Sequence, residues 1–128
     1  MSYPGRFVWK KSETISPIKN KYYKGRVIVL VDEDTQSASE FASMMFQAGD
    51  KATTIGSQTS GADGNVSHNE FLGYQSLITG IGVFYPDKTE TQRVGIKIDL
   101  VIRPTIKGMV EGRDEILEKA VEFAALNP

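Results

Sequence analysis

The residues best placed to do chemistry in this sequence are Ser37-Ala38-Ser39-Glu40, which stand where an apolar β-branched run gives way to a helical period. Backbone N–H groups at the start of a helix lack intrahelical acceptors and carry positive partial charge. A serine hydroxyl at such a point is well placed for acyl chemistry, because an alkoxide or oxyanion beside it would be stabilised. The same residues also fit a capping box, in which the serine caps the helix and the glutamate three residues on reaches back to it. The local pattern leaves both readings open.

Other candidates carry less. His68 is the only histidine, and it lies on a turn-rich segment where a surface role is the default. The stretch Gly56 to Asn65, GSQTSGADGN, is rich in glycine but lacks the Gly-Lys-Ser/Thr ending of a phosphate loop. Asp32, Glu33 and Asp34 cluster at a strand end without histidine or a second acidic group, which fits a solvated turn better than a metal site. Glu90 and Asp99 flank a hairpin region and read as surface residues.

The elements that must position these residues follow from periodicity. Gly25 to Asp32 is too apolar on both faces for a half-exposed strand and predicts a buried, parallel one. Phe41, Ala42, Met44, Met45 and Ala48 recur at helical spacing up to Gly49, and Lys51 to Gly56 gives a second short strand, completing a βαβ unit. The Gly56 to Asn65 loop should then gather beside Ser37, since loops leaving the carboxyl ends of parallel strands share one edge of the sheet. Between Val66 and Tyr85, the pieces Glu70–Leu72, Ser76–Ile78 and Gly82–Tyr85 predict short strands and tight hairpins. Val94 to Val101 predicts another strand, broken by Gly95 and Asp99. Residues Gly112 to Ala125 predict an amphipathic helix with Ile116, Leu117, Ala120, Val121 and Ala124 on one face.

Bulk properties bound the function. The 128 residues can bury one core. Fifteen Lys plus Arg against sixteen Asp plus Glu give a net charge of −1, so no polycation is available for nucleic acid. No apolar run long enough for a transmembrane segment or a signal peptide is visible. Cysteine is absent, which removes disulfides, thiolate metal sites and a Cys nucleophile. Residues 1–24, with Pro4, Gly5, Pro17 and many lysines, read either as a connecting segment from something larger or as a true start with a mobile arm.

Taken in order, Val31-Asp32-Glu33, Thr35-Gln36-Ser37-Ala38-Ser39-Glu40-Phe41, Ile55-Gly56-Ser57-Gln58-Thr59-Ser60-Gly61 and Val94-Gly95-Ile96-Lys97-Ile98-Asp99-Leu100-Val101 resemble the C-terminal processing (tail-specific) peptidases and the tricorn core family of serine peptidases. The stretches GADGNVS and GIGVFYPDKTETQRVGIKIDLVIRPTI resemble a bacterial, cell-envelope branch of that group. The resemblance runs from about Tyr22 to the last helix. It implies an α/β fold of the ClpP/crotonase-like type, with residues 25–128 forming the C-terminal part of a catalytic domain. It further implies Ser37 as nucleophile, the Ala38 N–H in the oxyanion hole, and Thr59, Gly61 and Ala62 beside the substrate. The implied partner is a polypeptide, the implied location the cell envelope or periplasm, and no metal or organic cofactor is implied.

Two departures bear on the base. Ala62 stands where the processing peptidases place a lysine. In the tricorn type a glutamate assists an upstream histidine; here Gln92 holds the glutamate position as an auxiliary, and Ile98 replaces a proline. The base is therefore expected from a segment outside this sequence, and the competing expectation is a non-catalytic binding module of the same fold. Apolar strand faces such as Val27 to Val31, if left uncovered, would favour self-association into a homo-oligomer.

Overall fold

A computed structural model describes residues 8–11, 16, 18–19 and 21–127. Much of the expected connecting segment, 1–24, lies outside the described residues. Strand β1 (Val27–Val31) is followed by helix α1 (Ala38–Gln47) and strand β2 (Ala52–Gly56). A hairpin of β3 (Asn65–Phe71) and β4 (Tyr74–Ile81) comes next, and then β5 (Leu100–Val101), the short helix α2 (Ile106–Val110) and helix α3 (Glu115–Leu126). The first sheet has the order β1-β2-β5 and is parallel throughout. Val27 pairs with Ala52 and Val31 with Gly56, so β1 and β2 end at the same level.

Alternation along β1 sends side chains to two layers. Val29 and Val31 pack with Met44 of α1 and with Ile96 on one face, while Ile28 packs with Ile55, Ile116 and Ala120 on the face covered by α3. The result is a parallel sheet between two helices, a mixed α/β fold with an added hairpin and a C-terminal helix. Among the described residues no helix is long and apolar enough to cross a membrane.

Several boundaries differ from the sequence reading. β1 is only partly buried, with Leu30 exposed, because it is an edge strand covered by single short helices. The pieces expected between Glu70 and Ile78 merge into one antiparallel hairpin that turns at Leu72-Gly73, both at positive φ. Residues 82–85 form no strand beyond an isolated bridge from Phe84 to Glu90. Of Val94 to Val101 only Leu100–Val101 pairs as a strand. The preceding residues instead hydrogen bond into the loops: the Ile96 N–H donates to the Thr59 hydroxyl and the Asp99 N–H to the Thr54 carbonyl. Asp99 is more than a surface residue, since its carboxylate accepts the Thr54 N–H at 2.7 Å.

The last helix begins later than expected. Asp114 caps it by accepting the Leu117 N–H at 2.9 Å, and Gly112, at φ 67°, closes the turn after α2. Its inward line is the buried Ile116 and Ala120 with the half-buried Phe123, while Leu117, Val121 and Ala124 are exposed. In α1 the buried side carries Glu40, Ser43 and Met44, and Phe41 and Met45 are exposed. The helix thus turns a carboxylate inward, a placement that hydrophobic periodicity does not predict.

Ile55 is the largest fully buried side chain among the described residues and belongs to the α3 layer. Replacing it with alanine should cost about 2–5 kcal/mol. Urea unfolding followed by circular dichroism checks this, with a lowered midpoint at unchanged slope expected.

Candidate active site

The turn from β1 into α1 is built by a side chain. Asp32 Oδ1 accepts the Asp34 N–H at 3.1 Å, the Thr35 N–H at 3.0 Å and the Thr35 hydroxyl at 3.0 Å. The Asp32 N–H in turn donates to Thr35 Oγ1 at 3.0 Å. This occupation of Asp32 accounts for the acidic cluster as a turn. Among the described residues no group of three or more His, Cys, Asp or Glu side chains could hold a metal ion.

The turn delivers Ser37 to the N-cap of α1 with φ 51° and ψ −119°. Positive φ is uncommon for a residue with a β-carbon and carries strain, so surrounding bonds must hold it. Ser37 is exposed, and its carbonyl accepts the Phe41 N–H at 3.0 Å, starting the helix. Among the described residues the Ala38 N–H has no acceptor. The Ser37 N–H donates to Glu40 Oε2 at 3.1 Å, which is half of the capping box. The reciprocal Glu40 N–H faces the Ser37 hydroxyl in a box arrangement but does not make a full hydrogen bond to it, so the carboxylate half holds the turn.

Glu40 is fully buried and does more than cap. Its Oε1 accepts the Thr59 hydroxyl at 2.6 Å and the Gly61 N–H at 2.9 Å. Oε2 accepts the Ala62 N–H at 2.9 Å alongside the Ser37 N–H. Four donors fill the acceptor positions that a carboxylate offers. The Ser37 and Ala62 nitrogens therefore meet at a single oxygen, which brings the Gly56 to Asn65 loop against the helix start. Ser60 adds to this by donating both its N–H and its hydroxyl to the Thr35 carbonyl at 3.1 Å.

A second turn locks the loop from behind. The Gly61 carbonyl accepts the Arg93 N–H at 2.6 Å, and a β-carbon on Gly61 would press on the Val94 nitrogen at 2.8 Å. Both Gly61 and Gly95 stand at positive φ, and any side chain on Gly95 would collide with Gln58 and Thr59. Gln92 sits half-buried on this turn, its amide against Gly64.

The residues expected at the site are accordingly distributed. Ser37, Ala38, Gly61 and Ala62 come together around the helix start. Thr59 is adjacent but turned inward, 5% exposed, with its hydroxyl between Glu40 and the Ile96 N–H. Gln92 is held against the far part of the loop at Gly64, and His68 stands exposed on β3 opposite Leu77. Two shallow concavities lie elsewhere among the described residues. One of about 140 Å³ is lined by Leu30, Val31, Asp32, Asp114 and Ile116, and one of about 210 Å³ by Gln47, Ala52, Tyr85, Lys97 and Asp99. Ser37 faces open surface.

Sequence reasoning missed two carboxyls. Glu40 carried only its capping-box spacing, which gave no sign of the three bonds it makes to the distant loop. Asp63 carried no signal, yet it is buried beside Glu40 with Oδ2 unpartnered among the described residues. Burial foremost, then the nearby Glu40, raises the Asp63 carboxyl above its ordinary range, opposed in part by the Gly64 N–H.

The model of peptidase family S41 matches residues 5–102, most of the chain. This chain belongs to peptidase family S41. Solved structures agree with that fold. A candidate peptidase from Parabacteroides merdae superposes with TM-score 0.74 at 25% identity, over 86% of this chain and 35% of that one. Mature CPAF complexed with lactacystin gives 0.69 at 19% identity, over 86% and 22%. The tricorn protease also gives 0.69 at 19%, over 88% and 11%. No curated protein matches the chain in sequence. The S41 chain described here thus spans about a third of the Parabacteroides structure and less of the others.

Two measurements test the wiring of this S41 domain. Glu40→Gln turns one acceptor oxygen into an NH2 donor that faces either the Ser37 and Ala62 N–H groups or the Gly61 N–H and the Thr59 hydroxyl, and should cost about 3 kcal/mol or more in urea unfolding. Asp63 tests the sign of a buried charge. Its folded pKa is raised, so the folded state holds the proton longer than the unfolded chain, and stability falls as pH rises above the ordinary carboxyl value of 3.8. Asp63→Asn should therefore match the parent in thermal melting below that pH and exceed it at neutral pH; equal melting curves at both would show that the charge carries no penalty.

Proposed function

We propose that this chain is the C-terminal part of an S41 catalytic domain that hydrolyses peptide bonds through an acyl-enzyme on Ser37. The observation that carries the reading is Ser37 itself: an exposed serine in a strained N-cap, its own N–H held by Glu40, and the next N–H, of Ala38, free. In this reading Ser37 Oγ attacks the scissile carbonyl carbon. The developing oxyanion lies toward the Ala38 N–H and the positive end of α1. Thr59, Gly61 and Ala62 hold the loop that borders the reacting groups, and Gln92 is an auxiliary at its far end. The substrate is a polypeptide, and the cell envelope or periplasm is the location that the family resemblance favours.

The base comes from a segment upstream of this sequence. A serine hydroxyl with its ordinary high pKa needs a base within hydrogen-bond reach, and Ala62 and Gln92 cannot take a proton. Those two residues favour a second reading, a binding module that keeps the fold and holds peptides without cleaving them.

The isolated chain should cleave an unstructured fluorogenic polypeptide no faster than its Ser37→Ala variant. A clear difference would place a base within these residues, with His68 the first suspect. In protein that carries its upstream segment, Ser37→Ala should lower kcat by at least about 1000-fold. Peptide binding without turnover in that longer protein would favour the binding module.

A further inference from the structure

Two buried carboxyls meet where the loop after β2 closes on α1. Glu40 accepts four donors, three of them from that loop: the Thr59 hydroxyl, the Gly61 N–H and the Ala62 N–H. Donors on every side are the surroundings of an ionised carboxylate. Asp63 follows Ala62 directly, is 4% exposed, and has an Oδ2 that meets no donor among the described residues. A second buried charge beside Glu40, without a partner of its own, is disfavoured by both desolvation and repulsion. No other charge relieves it. Arg93 lends the loop only its backbone N–H and has an exposed side chain, Asp32, Glu33 and Asp34 on the turn after β1 are exposed, and so are His68 and Glu70 along β3. The closed loop therefore suits a protonated Asp63.

We infer that Asp63 is a proton-operated latch on this loop: protonated, it lets residues 61–64 stay closed on Glu40, and ionised, it favours an opened segment in which the Gly61 and Ala62 N–H groups leave Glu40. Gly61, at φ 67°, and Gly64 bracket the segment and can take new backbone angles. Ser37 keeps its own bond to Glu40 in either state, so what changes is the wall beside the serine. The direction of the pH dependence follows from the surroundings. In the closed loop burial, and then Glu40, raises the proton affinity of Asp63; in the opened loop the carboxyl returns to water and its ordinary value of 3.8. The closed state is thus most favoured below pH 3.8, loses stability as pH rises through the raised value, and is constant above it.

The test is residue-resolved amide hydrogen exchange by NMR on the 128-residue chain, wild type and Asp63→Asn, from about pH 3 to about pH 7. In wild type the protection factors of Gly61 and Ala62 should lie below that of Ile55 in the central strand. They should fall by about tenfold per pH unit above 3.8 and level off once Asp63 is ionised in the closed loop. In Asp63→Asn they should stay at their acid value throughout. Protection at Gly61 and Ala62 equal to that of Ile55 at every pH would mean that the loop opens only with the whole fold, and would overturn the latch. A pH dependence that survives in Asp63→Asn would overturn it too. If that variant does not fold, NMR titration of the wild-type Asp63 carboxyl carbon decides. A midpoint above 3.8, at the pH where loop protection levels off, supports the latch, and a midpoint at or below 3.8 removes it.

Discussion

A carboxylate buried without a cation organises this molecule's working end. Glu40 is fully buried, and what compensates its lost hydration is a ring of three backbone N–H groups and one hydroxyl. Hydrogen bonds to a charged acceptor are stronger than neutral ones, and each donor here would otherwise be left unpaired. Because the donors come from Ser37, Thr59, Gly61 and Ala62, satisfying one charge fixes the helix start and the loop together. Thr59 extends the connection by accepting the Ile96 N–H at 3.0 Å, so the turn after Arg93 is tied in as well. Three segments far apart in sequence thereby share one electrostatic anchor.

That anchor explains how Ser37 can keep an unfavourable backbone. A φ of 51° would relax in a free peptide. Here the N–H on one side of the residue is bonded to Glu40 and its carbonyl to the Phe41 N–H, so relaxing would break both. The strain leaves the side chain on the exposed side of the turn and the Ala38 N–H without an internal acceptor. A serine serving only as a helix cap would be expected in the extended region with its hydroxyl on the helix N–H groups. Ser37 departs from that pattern in its backbone angles and in the weakness of its hydroxyl bond, and the departure favours a role beyond capping.

The sequence made the βαβ unit legible because β1, α1 and β2 are local patterns with strong periodicity, and their parallel pairing put the Gly56 to Asn65 loop beside Ser37 as topology requires. The hairpin was legible only in pieces, since glycines at 73, 80 and 82 suggested breaks where one long pairing continues past an irregularity at Gly80 to Ile81. The segment before Leu100 looked like a strand from its β-branched residues, but its N–H groups are taken by Thr59 and Thr54 across the chain, contacts that no local window contains. Glu40 and Asp63 illustrate the same limit at the site. Their types and spacing are ordinary, and their roles come from burial, which only the assembled fold creates.

The contrast between the core and the site follows from these facts. The apolar core is thin: among the described residues six buried hydrophobic ones split into two clusters on opposite faces of the sheet, while Phe41, Met45, Leu117 and Val121 remain exposed on the helices. Geometry around Ser37 therefore does not rest on bulk packing. It rests on short-range polar bonds among the turn after β1, the loop after β2 and the turn at residues 91–95, all at one edge of the sheet. Such bonds are directional and resist small displacements more than apolar contacts do. The start of α1 and the loop after β2 are in this way held together by bonds made within the chain. The exposed apolar side chains of the helices and the free edge of β1 stand outside this network, so the polar turns keep their geometry without help from those faces.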